Sequence, residues 1–163
     1  MNKKLISTML SLVTMLSFAM PAFATPMTVL TPEQPACSSE MIRYFDYNGY
    51  HVKEHKWYCV YNSDFYTVKF YSENSRLLGW QIFKNYQLIS TKDFTSVKDV
   101  QLPLCGGEMN RYFDYQGHHV KEHGWNCVYD NDSYKINVYS EGNLLLGWQI
   151  FKNSQLTSFK SFI

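Results

Sequence analysis

The chain has 163 residues, a net charge of +1, 45% hydrophobic residues, only 18% charged residues and a 17% aromatic share. That much apolar surface excludes an intrinsically disordered chain. The near-zero charge, with no basic excess to neutralise phosphates, argues against a nucleic-acid binder.

The first element in chain order is a targeting segment. Lys3 and Lys4 precede an apolar run from Leu5 to Phe18, Pro21 ends it, and Ala22-Phe23-Ala24 offers small residues at a cleavage position. This is the pattern of a Sec signal peptide over 1–24, too short for a membrane span. It implies a bacterial exported protein, periplasmic or extracellular. Residues 25–36, rich in Thr and Pro, read as a loose leader. No second long apolar run follows, so no transmembrane segment is expected in the mature chain.

The rest is one module written twice. A shift of 68 residues aligns Cys37–Phe94 with Cys105–Phe162 without a gap, and 37 of 58 positions are identical. RYFDY, HVKEH and LLGWQIFKN recur intact. Such self-similarity is an internal duplication. The expected organisation is repeat 1 over 37–94, a linker over 95–104 with Pro103, and repeat 2 over 105–163. The copies could pack as a sandwich or lie side by side.

Each repeat is small enough to need a staple. The four cysteines, Cys37, Cys59, Cys105 and Cys127, form two pairs of equal separation. An even count in an exported chain reads as disulfides, and the duplicated spacing favours Cys37–Cys59 and Cys105–Cys127. No CxxC spacing supports zinc.

Within each copy the apolar residues alternate. Tyr66, Val68 and Phe70, then Leu78, Trp80 and Ile82, share one parity, as do Tyr134, Ile136 and Val138, then Leu146, Trp148 and Ile150. Period two means strands with one buried face. Asn48-Gly49 and Gln116-Gly117 are hairpin signals, and Asn62-Ser63-Asp64, Glu73–Ser75 and Lys84-Asn85 are further turns. The predicted fold is all-β: two tandem antiparallel meanders of about five short strands, one disulfide each. Trp57 shares parity with Cys59, so it is expected on the disulfide in the core, with Trp80 also buried.

Three groups of residues could carry chemistry. His51 and His55, with His119 and His123, are four apart. On a strand that spacing separates them by about 13 Å, too far for one metal, so surface histidines in a polar turn are expected and no metal or cofactor is assigned. Asp46, Glu54, Asp114 and Glu122 could act as acid and base, but Arg43, Lys53 and the histidines lie near as ion-pair partners, and no catalytic residue is assigned. The third group is a binding surface. Arg43, Asp46, Tyr47 and His55, with Arg111, Asp114, Tyr115 and His123, match across copies while exposed neighbours such as Thr67/Lys135 and Lys69/Asn137 differ. They flank the two Gly-containing hairpins, and loops on a rigid sheet concentrate binding residues. The expected function is non-catalytic binding of a cell-envelope glycan or a protein partner, with a monomer compatible with it. An inhibitor of an external hydrolase, or a small hydrolase using carboxylates, is the alternative.

Overall fold

The computed structural model describes residues 36–95 and 105–163. The expected signal peptide (1–24) lies outside the described residues. So do the leader (25–36), except its last residue, and the linker (95–104), except its first. Repeat 1 forms β1 (Ala36–Cys37), β2 (Met41–Tyr47), β3 (Tyr50–Tyr61), β4 (Asp64–Glu73), β5 (Arg76–Lys84) and β6 (Gln87–Asp93). Repeat 2 forms β7 (Met109–Tyr115), β8 (His118–Tyr129), β9 (Asp132–Glu141), β10 (Leu144–Lys152) and β11 (Gln155–Ser161).

Each repeat is one antiparallel sheet. The order is β1-β3-β4-β5-β6, with β2 also on β3, and β11-β10-β9-β8-β7. Two-residue turns connect the hairpins, and Asn48-Gly49, Asn62-Ser63, Asn74-Ser75 and Asn85-Tyr86 all have positive φ at both positions. Such turns match the right-handed strand twist, which is why Asn and Gly recur there. The strands are longer than expected: β3 and β8 run for 12 residues. Cys37 and Cys59 are register partners and are bridged, and Cys105 is bridged to Cys127.

The two sheets share a single core, so the copies form a sandwich. Trp57, Cys59, Tyr66, Val68, Phe70, Trp80 and Ile82 are buried together with their counterparts Trp125, Cys127, Tyr134, Ile136, Val138, Trp148 and Ile150. Every one has the parity the alternation gave. Each large side chain removed from water contributes about 1.5–3 kcal/mol. Phe94 packs on Trp80 of its own repeat and on Tyr129 and Tyr134 of the other. Phe162 does the same with Trp148, Tyr61 and Tyr66.

The inter-repeat contacts are reciprocal. After β1 the backbone leaves its own sheet: Ser39 bridges Leu144, and Gly107 bridges Arg76. Glu40 N–H donates to Asn143 O at 2.9 Å, and Glu108 N–H to Ser75 O at 2.9 Å. Trp57 Nε1–H donates to Asn143 O at 3.1 Å, and Trp125 Nε1–H to Ser75 O at 3.1 Å. Each bond recurs with both residues moved to the equivalent place in the other copy. The sandwich therefore has an internal two-fold, the arrangement of an isologous dimer.

Candidate functional sites on the outer faces and in the central cleft

Side chains alternate across each strand, so the residues between the core positions form the outer face of each sheet. In repeat 1 that face is dished. Arg43, Phe45, Tyr47, Val52, Tyr71 and Gln81 line a pocket of about 390 Å³. Val52 and Glu54 are buried on this outward side, at 2% and 4% exposure. Tyr71 Oη–H donates to Gln81 Oε1 at 3.0 Å, and Arg43 pairs with Glu54 at 3.3 Å while stacking over Phe45. Burial, with the Glu54 charge added, pushes the Tyr71 hydroxyl well above its usual range, so it stays a neutral donor.

Repeat 2 carries the same pocket at about 280 Å³, lined by Phe113, Tyr115, Val120, Tyr139, Leu146 and Gln149. Tyr139 Oη–H donates to Gln149 Oε1 at 2.8 Å. Gly79 and Gly147 lie in the walls of the two pockets. A Cβ on Gly79 would meet Lys92 O at 2.3 Å, and one on Gly147 would meet Lys160 O at 2.4 Å. Glycine is required there by the close approach of the adjoining edge strand.

A second constellation lies between the sheets, at the internal two-fold. His55 Nδ1 bonds Glu40 Oε1 at 2.5 Å, and His55 Nε2 bonds Ser72 Oγ at 3.1 Å. In the other copy His123 Nδ1 bonds Glu108 Oε1, and His123 Nε2 bonds Ser140 Oγ at 3.1 Å. Glu40 and Glu108 sit on the crossing segments, and Ser72 and Ser140 on β4 and β9. Both sets line one cleft of about 240 Å³, with Lys53, Lys121, Trp57 and Trp125. Lys53 is the register partner of Ser72, and Lys121 of Ser140, so each lysine shares the serine's face of the sheet.

The carboxyls respond to this setting. Partial burial, the largest influence on Glu40, pushes it up, but the His55 bond and the charges of His55, Lys53 and His123 hold it below its usual range. For Glu108 the His123 bond leads, and it too lies below the usual value.

The structure divides the residues singled out in the sequence. Arg43, Tyr47 and Tyr115 line the outer pockets, and Arg111 pairs with Glu122 at 2.6 Å beside its own. Asp46 and Asp114 lie apart, in exposed pairs with His51 and His119 at 2.9 and 2.8 Å. His55 and His123 belong to the central cleft. The expectation of surface histidines in a polar turn is corrected for these two. β3 and β8 run unbent through Lys53–Lys56 and its counterpart because a strand pairs on both sides of them there. His51 and His55 take different partners, Asp46 and Glu40.

Four residues of the cleft were not singled out: Glu40, Ser72, Glu108 and Ser140. A signal existed. Glu40/Glu108 is identical while the adjoining Ser38-Ser39 and Gly106-Gly107 differ. No family model, no curated protein and no solved structure matches this chain.

Proposed function

We propose that this is an exported bacterial binding protein that holds a cell-envelope glycan in the two outer pockets. The observation that carries the reading is the repetition of one pocket on both sheets, with the same aromatic walls and the same Tyr–Gln hydrogen bond. Aromatic faces beside an amide and a hydroxyl suit a sugar ring, whose C–H face stacks while its hydroxyls find donors and acceptors. The pockets open on opposite outer faces, so they suit a ligand that recurs in space, such as a polymer. One molecule can then bridge two strands of it and gain avidity. Export rests on the N-terminal residues Lys3–Ala24 and on the two disulfides, which persist outside reducing compartments.

The test is co-sedimentation with peptidoglycan and other insoluble polysaccharides. Tyr47 and Tyr115 are 48% and 50% exposed, so replacing both by Ala should leave thermal unfolding nearly unchanged. Retention should weaken by about 1–3 kcal/mol per site, the scale of an aromatic anchor. A folded double variant that binds at full strength, or a chain retained by no polysaccharide, sinks the reading.

A further inference from the structure

The central cleft asks for a different chemistry from the outer pockets. Along each set the order is carboxylate, imidazole, hydroxyl. The carboxylate takes Nδ1 and the hydroxyl takes Nε2: Glu40–His55–Ser72, and Glu108–His123–Ser140. A carboxylate on Nδ1–H fixes the tautomer and leaves Nε2 to accept the serine proton. Two further features separate the cleft from a purely structural network. Both serines line a space of about 240 Å³ rather than being sealed by side chains. A lysine stands beside each serine on the same face, where positive charge can stabilise an oxyanion. All eight residues follow the internal two-fold, so the arrangement occurs twice in one cavity.

We propose that the cleft is a twin serine-nucleophile site for short-chain acyl esters. Ser72 Oγ attacks the acyl carbonyl while His55 Nε2 takes the hydroxyl proton. The bond to the leaving alkoxide breaks, and His55 returns the proton to it, releasing the alcohol. Water then attacks the acyl-serine, giving its proton to His55. The acid departs, and Ser72 recovers its proton. The net change is ester plus water to acid plus alcohol. Glu40 is the positioning residue that orients His55 and stabilises its cationic form. Lys53 supplies charge for the oxyanion. Ser140, His123, Glu108 and Lys121 act in the same way in the second copy. The size of the cleft and its Trp57, Trp125 and Phe70 walls select a short apolar acyl group.

The experiment uses the whole chain and a fluorophosphonate, which forms a serine Oγ–P bond and expels fluoride. Peptide mapping should place the adduct on Ser72, Ser140 or both, and p-nitrophenyl acetate should be turned over. Ser72→Ala combined with Ser140→Ala is nearly isosteric and should abolish both signals with an unchanged melting curve. His55→Gln with His123→Gln should slow labelling about 10²- to 10⁴-fold, the worth of a general base. If that variant fails to fold, the pH profile of the unaltered chain decides. Its labelling rate should rise with imidazole deprotonation between about pH 5 and 8. Absence of any adduct at either serine, under conditions that label a known serine hydrolase fully, overturns the proposal. So does an adduct whose rate is flat across that pH range. Polysaccharide retention in the outer pockets is read separately and stands or falls on its own.

Discussion

At the scale of single residues, Glu40 and Glu108 make the fold sensitive to acid. Both carboxyls lie below their usual value of 4.5 in the folded chain, through their histidine bonds and the nearby cations, against the opposing effect of burial. The folded state therefore holds fewer protons than the unfolded chain in mild acid. The stabilisation is whole above about pH 4.5 and drains away as pH falls through the lower folded value. Asp64 and Asp132 are also lowered, by Lys84 with Asn85 and by Lys152 with Asn153. Those pairs are exposed, so salt screens them first. Denaturant titrations at high salt should thus isolate the central pairs. Replacing Glu40 and Glu108 by Gln should lower stability at neutral pH by about 1–3 kcal/mol per site, the scale for a hydrogen bond to a charged group. It should also flatten the decline below pH 4.5. An unchanged slope would mean that the acid sensitivity lies elsewhere.

At the scale of strands, the pocket walls depend on a backbone device. In β4–β5 the register shifts between Tyr71 and Ser72, and β5–β6 shifts between Ile82 and Phe83. Gly79 lies between these irregularities, where Lys92 O approaches to the place a side chain would take. The obstacle is backbone, not a flexible side-chain end. Gly79→Ala should therefore cost about 2 kcal/mol or more and lower the melting temperature by several degrees, with Gly147→Ala alike. Thermal unfolding measures it, and a neutral effect would show that β6 yields easily. This is also the scale at which the sequence was most legible. Alternating apolar residues located the strands and their buried faces, Asn-Gly located the first turn, and matched Cys spacing gave both bridges. Long-range placement was not legible. Nothing local in Ser38–Glu40 says that this segment leaves its own sheet for the other, and only that crossing brings Glu40 to His55. Ser72 has the parity of the core, where a lone serine reads as filler. Arg43 and Tyr47 were found because they are neighbours in one strand, and His55 was grouped with them although its side chain points to the opposite face.

At the scale of the molecule, one core and reciprocal hydrogen bonds make the two sheets a single cooperative unit. Phe94 belongs to repeat 1 yet packs on Tyr129 and Tyr134, and Phe162 belongs to repeat 2 yet packs on Tyr61 and Tyr66. Truncating either to Ala should cost about 3–5 kcal/mol. The loss should appear equally in hydrogen exchange of both sheets, with one calorimetric transition whose enthalpy matches the van't Hoff value. Two resolved transitions would show that the repeats fold alone. The internal two-fold has a further consequence in terms of mass action. Two unlinked halves would meet as a bimolecular pair, and their folding would weaken on dilution. Joined in one chain, each half sees the other at an effective concentration on the order of millimolar, however dilute the protein becomes. Dilution outside a cell, where nothing replenishes a lost partner, then leaves the fold intact.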